Sequence, residues 1–413
     1  MIARSIHRKS HALLAVALAL NCENGQGTID EPAETWITEA AFEIGDVLEG
    51  DALFTRVDHI QVSSDGARVF VLEGSIERLS VWSPEGLHLL NVGGRGGGPG
   101  EFEGAAEIGL TEDGFFVRDL RRFTFFSDAG TVLKTVPYPP PSVSFRGFRV
   151  EPGLLLEDGG FLAIPAIPAR VMAGWQGDDP IHELPLLRLV QDSDRWAIDT
   201  LLMFDQRNQT LSIGPDDHSF LWGVHTRQPF HDSDEWYFDA GTQSVLILRK
   251  NLGPGVLELT EVSATGDTIW RERLVRHPIP FSPAVLEDYA EWLVQGLIAQ
   301  AQGSGASLSS NEARAAVDEA FYLPDYYPVA DYLRGMSDDV WLKTFEMADV
   351  DTLDIWYALK RDADAYSLRR ILLPKRFRPH SVTDTHVWGV RRDTVGINYV
   401  AGRRLVQTGV TGK

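Results

Sequence analysis

The feature that most constrains this chain is a turn that recurs. Asp-Gly sits between two apolar, β-rich runs at Asp65-Gly66, Asp113-Gly114 and Asp158-Gly159. A second turn follows about twenty residues later in the first two units, as Ser83-Pro84-Glu85-Gly86 and Ser127-Asp128-Ala129-Gly130. Weaker echoes stand at Asp232-Ser233-Asp234, Asp338-Asp339 and Thr383-Asp384-Thr385. Where nothing is inserted the period is 45–48 residues. Tight turns of this kind join antiparallel strands, because Asp and Gly accept the backbone angles a hairpin needs. A repeat of this length holds four short strands, the unit of a propeller blade.

Six such units can be traced, which predicts an all-β fold: a six-bladed β-propeller over residues 36–413. Strands are expected at 57–62, 69–72, 79–82 and 87–92, then at 106–110, 115–119, 123–126 and 132–136. The third unit begins near Phe148 and continues through 160–164, 186–190 and 196–204. The fourth starts near Phe220 and runs through 236–239, 256–262 and 268–275. The fifth runs from Ala330 through 340–345, 355–360 and 367–373, and the last holds 381–383, 387–391 and 397–400. Its outermost strand is either 403–407 or the N-terminal segment 36–47. The second choice is favoured, because joining first and last segments removes two open sheet edges.

Two units carry extra material. Residues 165–185 are rich in Pro, Gly and Asp and read as a long loop. Residues 282–322, between the fourth and fifth blades, read as a short two-helix insertion. Ser282 and Pro283 suit a helix start, and Leu286, Tyr289, Leu293, Leu297 and Ile298 follow at helical spacing. Ser309-x-x-Glu312 is a capping box for the second helix. The apolar stripe is most simply a packing face; a lid over the ring is the alternative.

The N-terminus reads as a targeting segment, residues 1–22. Arg4, His7, Arg8 and Lys9 precede the short apolar run 12–20, so export is expected. The only cysteine, Cys22, falls directly behind it, which excludes a disulfide within the chain. Cys22 resembles the lipidated cysteine of bacterial lipoproteins, with 23–35 as a flexible tether; ordinary cleavage after Ala17-Leu18-Ala19 is the alternative. The formal net charge of −21 repels phosphate backbones and anionic headgroups. Nucleic acid is therefore excluded as a partner, and a membrane is expected only through a lipid anchor.

The run Gly93-Gly94-Arg95-Gly96-Gly97-Gly98-Pro99-Gly100-Glu101-Phe102 is glycine-rich enough to suggest a phosphate cradle. Pro99 removes a donor, Glu101 repels an anion, and a strand rather than a helix follows, so a connection anchored by Phe102 is expected instead. This run, with the following FFVRD, FTFFSDAG and VLKTV segments, resembles the NHL-related six-bladed β-propeller proteins of bacterial envelopes, which are often lipoproteins. The resemblance is strongest over residues 57–136 and implies the fold and an envelope location. Lactonases, phosphotriesterases and amidating lyases on similar propellers use carboxylate, Asn or His residues around a metal. None of their motifs is matched here residue by residue, so the resemblance implies no chemistry.

No G-x-S-x-G elbow, H-E-x-x-H helix or C-x-x-C pair is present. The Asp-Gly turns are simply what hairpins prefer and are not read as calcium loops. Aligning the units on their innermost strands places His59, Glu107, Asp331 and His380 near strand starts, with His218 close to the same place in the fourth unit. These five are the candidate ligand-binding residues at one mouth of the central channel. The first four are also candidate ligands for a divalent metal, zinc or calcium, although no cofactor is certain. Arg95, Arg118, Arg121 and Arg122 form a basic cluster, read as paired with Glu101, Asp119 and Asp128 rather than as an anion site.

The expected function is an exported, non-catalytic propeller that binds a small molecule, glycan or protein partner on its loop-rich face. The alternative is a metal-dependent hydrolase, lactonase or lyase at the channel mouth. The 93–102 loop, the 165–185 loop and the helices are all expected on the face where inner strands begin, with the helices partly covering the channel.

Overall fold

A computed structural model describes residues 26–30, 32, 34–45, 52–168, 171, 182–213, 224–303, 305–336, 339–347, 352–361 and 366–408. The chain is mostly β and has a propeller arrangement. Strands His59–Val62, Val69–Glu73, Arg78–Trp82 and His88–Gly93 form a four-stranded antiparallel meander in sequence order. Glu107–Thr111, Gly114–Arg118, Arg122–Ser127 and Val132–Pro137 repeat it. The third sheet runs from Ser144–Phe145 through Phe148–Leu155, Phe161–Pro165 and Glu183–Asp192 to Arg195–Asp205. The turns are those the sequence dictates: Gly66 and Gly86 take φ of 72° and 90°, open to glycine without strain.

The fourth sheet begins later than the sequence suggests. Its innermost strand is Glu235–Asp239, followed by Ser244–Arg249, Val256–Ser263 and Thr268–Val275. The segment 236–239 is thus the first strand of its unit, not the second, and Ser244–Arg249 went unrecognised. The cause is a hairpin inserted ahead of it, Thr210–Ile213 paired with Val224–Arg227, which absorbs the space assigned to a blade start near Phe220. His218 lies outside the described residues.

The remaining strands join one eight-stranded sheet. Tyr332–Met336, Asp339–Met347, Leu353–Arg361 and Tyr366–Pro374 meander outward, and Phe377–Val382, His386–Arg392 and Asn398–Gln407 form a second series. The N-terminal strand Glu34–Ile44 stitches them together. It pairs antiparallel with Asn398–Gln407 and, over Glu34–Ile37, parallel with Tyr366–Pro374. Ring closure by the N-terminal segment therefore stands, and Asn398–Gln407 is one continuous strand rather than two. The tether expected at 23–35 is corrected in part. Gln26–Thr28 adds a parallel strand to Thr268–Val275, and Ile29 is fully buried beside Leu257 and Leu274. An apolar side chain of that size stabilises its position by about 1.5–3 kcal/mol, enough to dock a short segment.

Each main core cluster lies between consecutive sheets. Leu72, Leu79 and Phe102 meet Ile108 and Phe115 across one such gap, and Trp82 and Val69 meet Trp388 and Val400 across another. Strands such as Val69–Glu73 are buried along their whole length because both faces are covered. The innermost strands consequently line up around a centre. Phe377–Val382 lies against His59–Val62, which lies against Glu107–Thr111; Phe148–Leu155 lies against Glu235–Asp239, which lies against Tyr332–Met336.

Helices α1 (Pro283–Gly303) and α2 (Ser310–Ala320) connect Thr268–Val275 to Tyr332–Met336. The capping box forms as expected: Ser309 Oγ accepts from the Glu312 N–H at 3.3 Å, and Glu312 Oε2 accepts from the Ser309 N–H at 2.9 Å. The apolar stripe is a packing face. Leu293, Val294 and Leu297 meet Val317 and, on the inserted hairpin, Leu211 and Ile213.

Candidate functional site

The basic cluster in the second meander resolves into structure. Arg118 Nε binds Glu107 Oε2 at 2.7 Å, Arg121 pairs with Glu103 at 2.7 Å, and Arg122 donates to the carbonyls of Gly97, Gly98 and Glu101. Of the partners read from the sequence, Asp119 is used, whereas Asp128 pairs with Arg68. The glycine loop is closed on itself: Gly98 N–H donates to Glu101 Oε2 at 2.7 Å, and Phe102 is fully buried. Gly93, at φ 102°, is where Phe102 comes in; a Cβ there would collide with the ring.

His59 and His380 do converge. Their rings lie 6.1 Å apart, and Ser381 Oγ accepts from the Val62 N–H at 3.3 Å, which locks the two inner strands together. His59 Nδ1 accepts from the Ile108 N–H at 2.9 Å. The ring therefore carries its proton on Nε2 in the neutral form. Burial, with Arg334 and Arg118 nearby, holds its pKa down at about 3. His380 sits in a register irregularity between Pro379 and Ser381, which re-aims the side chain. It is 4% exposed, and neither ring nitrogen has a hydrogen-bond partner among the described residues. Burial and then Arg334 push its pKa well below the ordinary histidine value.

The other two predicted residues are engaged by other partners. Glu107 is held by Arg118. Asp331 precedes the strand it was expected to open, so the channel-facing positions of that strand fall to Tyr332 and Arg334, an alternation one residue out of step. Asp331 instead borders a buried charge cluster. Lys250 Nζ binds Glu235 Oε1 at 2.7 Å, Arg227 reaches the same oxygen at 2.5 Å, and Arg227 also donates to His231 and to the Asp331 carbonyl. Burial raises the Asp331 pKa. Among the described residues no three His, Cys, Asp or Glu side chains gather as metal ligands. The four-residue metal set is thereby corrected: one carboxylate is taken by an arginine, and the other belongs to a different cluster.

Arg334, which organises the site, was not among the candidate residues. Its Nη1 donates to the Pro379 carbonyl at 2.8 Å, and its guanidinium lies over the Tyr332 ring. The signal was available in the Tyr332-Leu333-Arg334 alternation on an innermost strand. Beside Arg334 and His380 opens a cavity of about 1320 Å³, walled mainly by residues 331–356 and 375–398, with 55–58 and 227–229 closing the side. Most of its lining belongs to the eight-stranded sheet. No residue of α1, α2 or the 93–102 loop lines it. The helices reach the edge of this cavity only through Gln228, which donates to the Ala320 carbonyl at 2.9 Å.

Eight lysines and arginines line the cavity against four aspartates, in a chain whose net charge is −21. Among the described residues, no helix is long and apolar enough to cross a membrane.

No protein-family model matches the chain, and no curated protein matches it in sequence. Among solved structures, a member of the DUF4221 family from Bacteroides vulgatus aligns at 8% identity and a TM-score of 0.47, over 91% of this chain and 99% of that one. An exported protein from Bacteroides fragilis aligns at 13% identity and 0.43, over 92% and 98%. The β-propeller domain of Swd1 from a Myceliophthora fungus aligns at 9% and 0.39, over 89% and 100%. Likeness at this level says nothing of substrate or activity.

Proposed function

We propose that this chain is an exported, non-catalytic propeller that binds a small molecule in the cavity beside His380 and Arg334. The observation that carries this is a buried imidazole with two unpaired nitrogens at the wall of a cavity of about 1320 Å³. Unpaired buried polar groups cost stability, about 1–3 kcal/mol each, and are retained where a partner arrives from outside. The scaffold is six-bladed and NHL-like in this proposal. Support comes from the division of the eight-stranded sheet at the N-terminal strand and from the regular meanders over 57–136. Export by residues 1–22 and a lipid anchor at Cys22 belong to the same proposal; both lie outside the described residues. A glycan or protein partner is less favoured, because neither the 93–102 loop nor the described residues of the helices line the cavity.

The test is a thermal-shift screen of the purified chain against fractionated small-molecule extracts of the cells that make it. A fraction that raises the melting temperature of the wild type by several degrees, and leaves His380→Phe unmoved, is the expected result. Equal stabilisation of both proteins, or none by any fraction, overturns the proposal. Fatty-acid labelling of wild type against Cys22→Ser tests the anchor separately.

A further inference from the structure

We infer that the cavity takes a small organic polyanion, a molecule carrying two or more carboxylate or phosphate groups, with Arg334 and His380 as its floor and Lys375, Arg376 and Arg378 as its rim. This rests on the cavity being the ligand site and adds the ligand's chemistry.

The acids at the cavity are largely spent. Asp58 binds Arg56 Nε at 2.7 Å and the Gly74 N–H at 2.8 Å. Asp393 accepts from the backbone N–H groups of Val395 and Ile397 at 3.0 and 2.8 Å. Asp354 lies 4.0 Å from Lys343, and Asp331 is the one whose pKa burial raises. Five of the eight cations have no carboxylate partner among the described residues. Arg227 and Arg56 are paired, but Arg334 binds only a carbonyl, and Arg392 binds the Gly396 carbonyl at 3.1 Å. Lys375, Arg376 and Arg378 are exposed and have no carboxylate partner among the described residues. Elsewhere Arg118, Arg121, Arg188 and Arg314 each pair with a carboxylate. Here the pattern reverses, and a concave wall concentrates the field of its charges.

The floor suits the same ligand. The Arg334 guanidinium presents a planar fork that matches a carboxylate or phosphate edge. His380 has a ring N–H with no acceptor, and an incoming oxyanion supplies one. His59, protonated on Nε2, adds a second neutral donor nearby. A cation or a neutral apolar ligand would satisfy neither the arginine nor the imidazole.

Calorimetric titration of the purified chain in metal-free buffer uses three probes: citrate, pyrophosphate and sucrose. Citrate or pyrophosphate should bind and sucrose should not, and which anion binds more tightly separates carboxylate from phosphate recognition. Arg376→Ala with Arg378→Ala should weaken binding about tenfold and flatten its salt dependence, with an unchanged melting temperature. Arg334→Gln should weaken it further; because that variant could misfold, the rim pair carries the test. No binding of either anion, or equal binding by the rim variant, overturns the inference. If sucrose binds instead and His380→Phe abolishes it, the cavity is still the ligand site and only the polyanion falls. If no probe binds and the extract screen is also blank, both fall.

Discussion

The second meander and the cavity wall around Arg334, Arg378 and His380 are both built from antiparallel strands and hold their charges in opposite ways. In the meander, Arg118, Arg121 and Arg122 each find a carboxylate, and Glu77, reaching over from the first meander, spends both oxygens on the N–H groups of Gly104 and Ala105 ahead of it, at 2.8 and 2.9 Å. In the wall, Arg334 has a carbonyl, Arg378 has no acid, and His380 has nothing. Satisfied charges hold loops in place; unsatisfied ones are available to a ligand. A charge in the first region should therefore matter to folding, and one in the second to binding.

The largest expected effect comes from the charge cluster beside Asp331. Glu235→Ala strands Lys250, which is 6% exposed, without its counter-ion. Removing one partner of a buried pair costs about 3–5 kcal/mol, measurable by urea denaturation. Next comes Glu77→Ala, which orphans two loop N–H groups and should cost about 1–3 kcal/mol while leaving ligand binding intact. If that variant is as stable as wild type, the contrast between the two regions loses its structural half.

Acid should probe the site itself. His59 and His380 are neutral in the fold, whereas the unfolded chain takes up protons near pH 6.5. Their contribution is intact above pH 6.5 and is lost as the pH falls toward the folded value of His59, about 3. Asp234, raised to about 6 by burial, works the other way: its contribution is full below pH 3.8 and is lost as the pH rises through 6. Between pH 7 and 4.5 the wild type should lose stability through both histidines, His59 alone costing about 1–3 kcal/mol. His59→Gln with His380→Gln should reduce that loss in urea melts at the two pH values. The smallest effect on stability belongs to Arg376→Ala with Arg378→Ala, which should stay within about 0.5 kcal/mol of wild type.

Much of the architecture was legible because it is local. Asp65-Gly66 and Asp113-Gly114 fix hairpins wherever they occur, and Ser309 with Glu312 caps a helix from within four residues. The inserted pair Thr210–Ile213 and Val224–Arg227 escaped because its strands are only four residues long, too short for a clear alternation, and it displaced the fourth sheet by a strand. The site was half legible. His59 and His380 could be aligned by their place on inner strands, but a one-residue offset exchanged Asp331 for Tyr332 and Arg334. That offset depends on pairing with Asp339–Met347, where Tyr332 faces Lys343, a tertiary fact that no local pattern encodes. Glu107 opens an inner strand as expected, yet its carboxylate is taken by Arg118 from the neighbouring strand.

The most direct measurement is the ring-nitrogen NMR spectrum of His380, assigned by comparison with His380→Gln, across pH and on addition of citrate and pyrophosphate. The account predicts an imidazole that stays neutral far below pH 6.5 and whose resonances move when the cavity is filled. A His380 that titrates near 6.5 and ignores every ligand that binds the chain would contradict it.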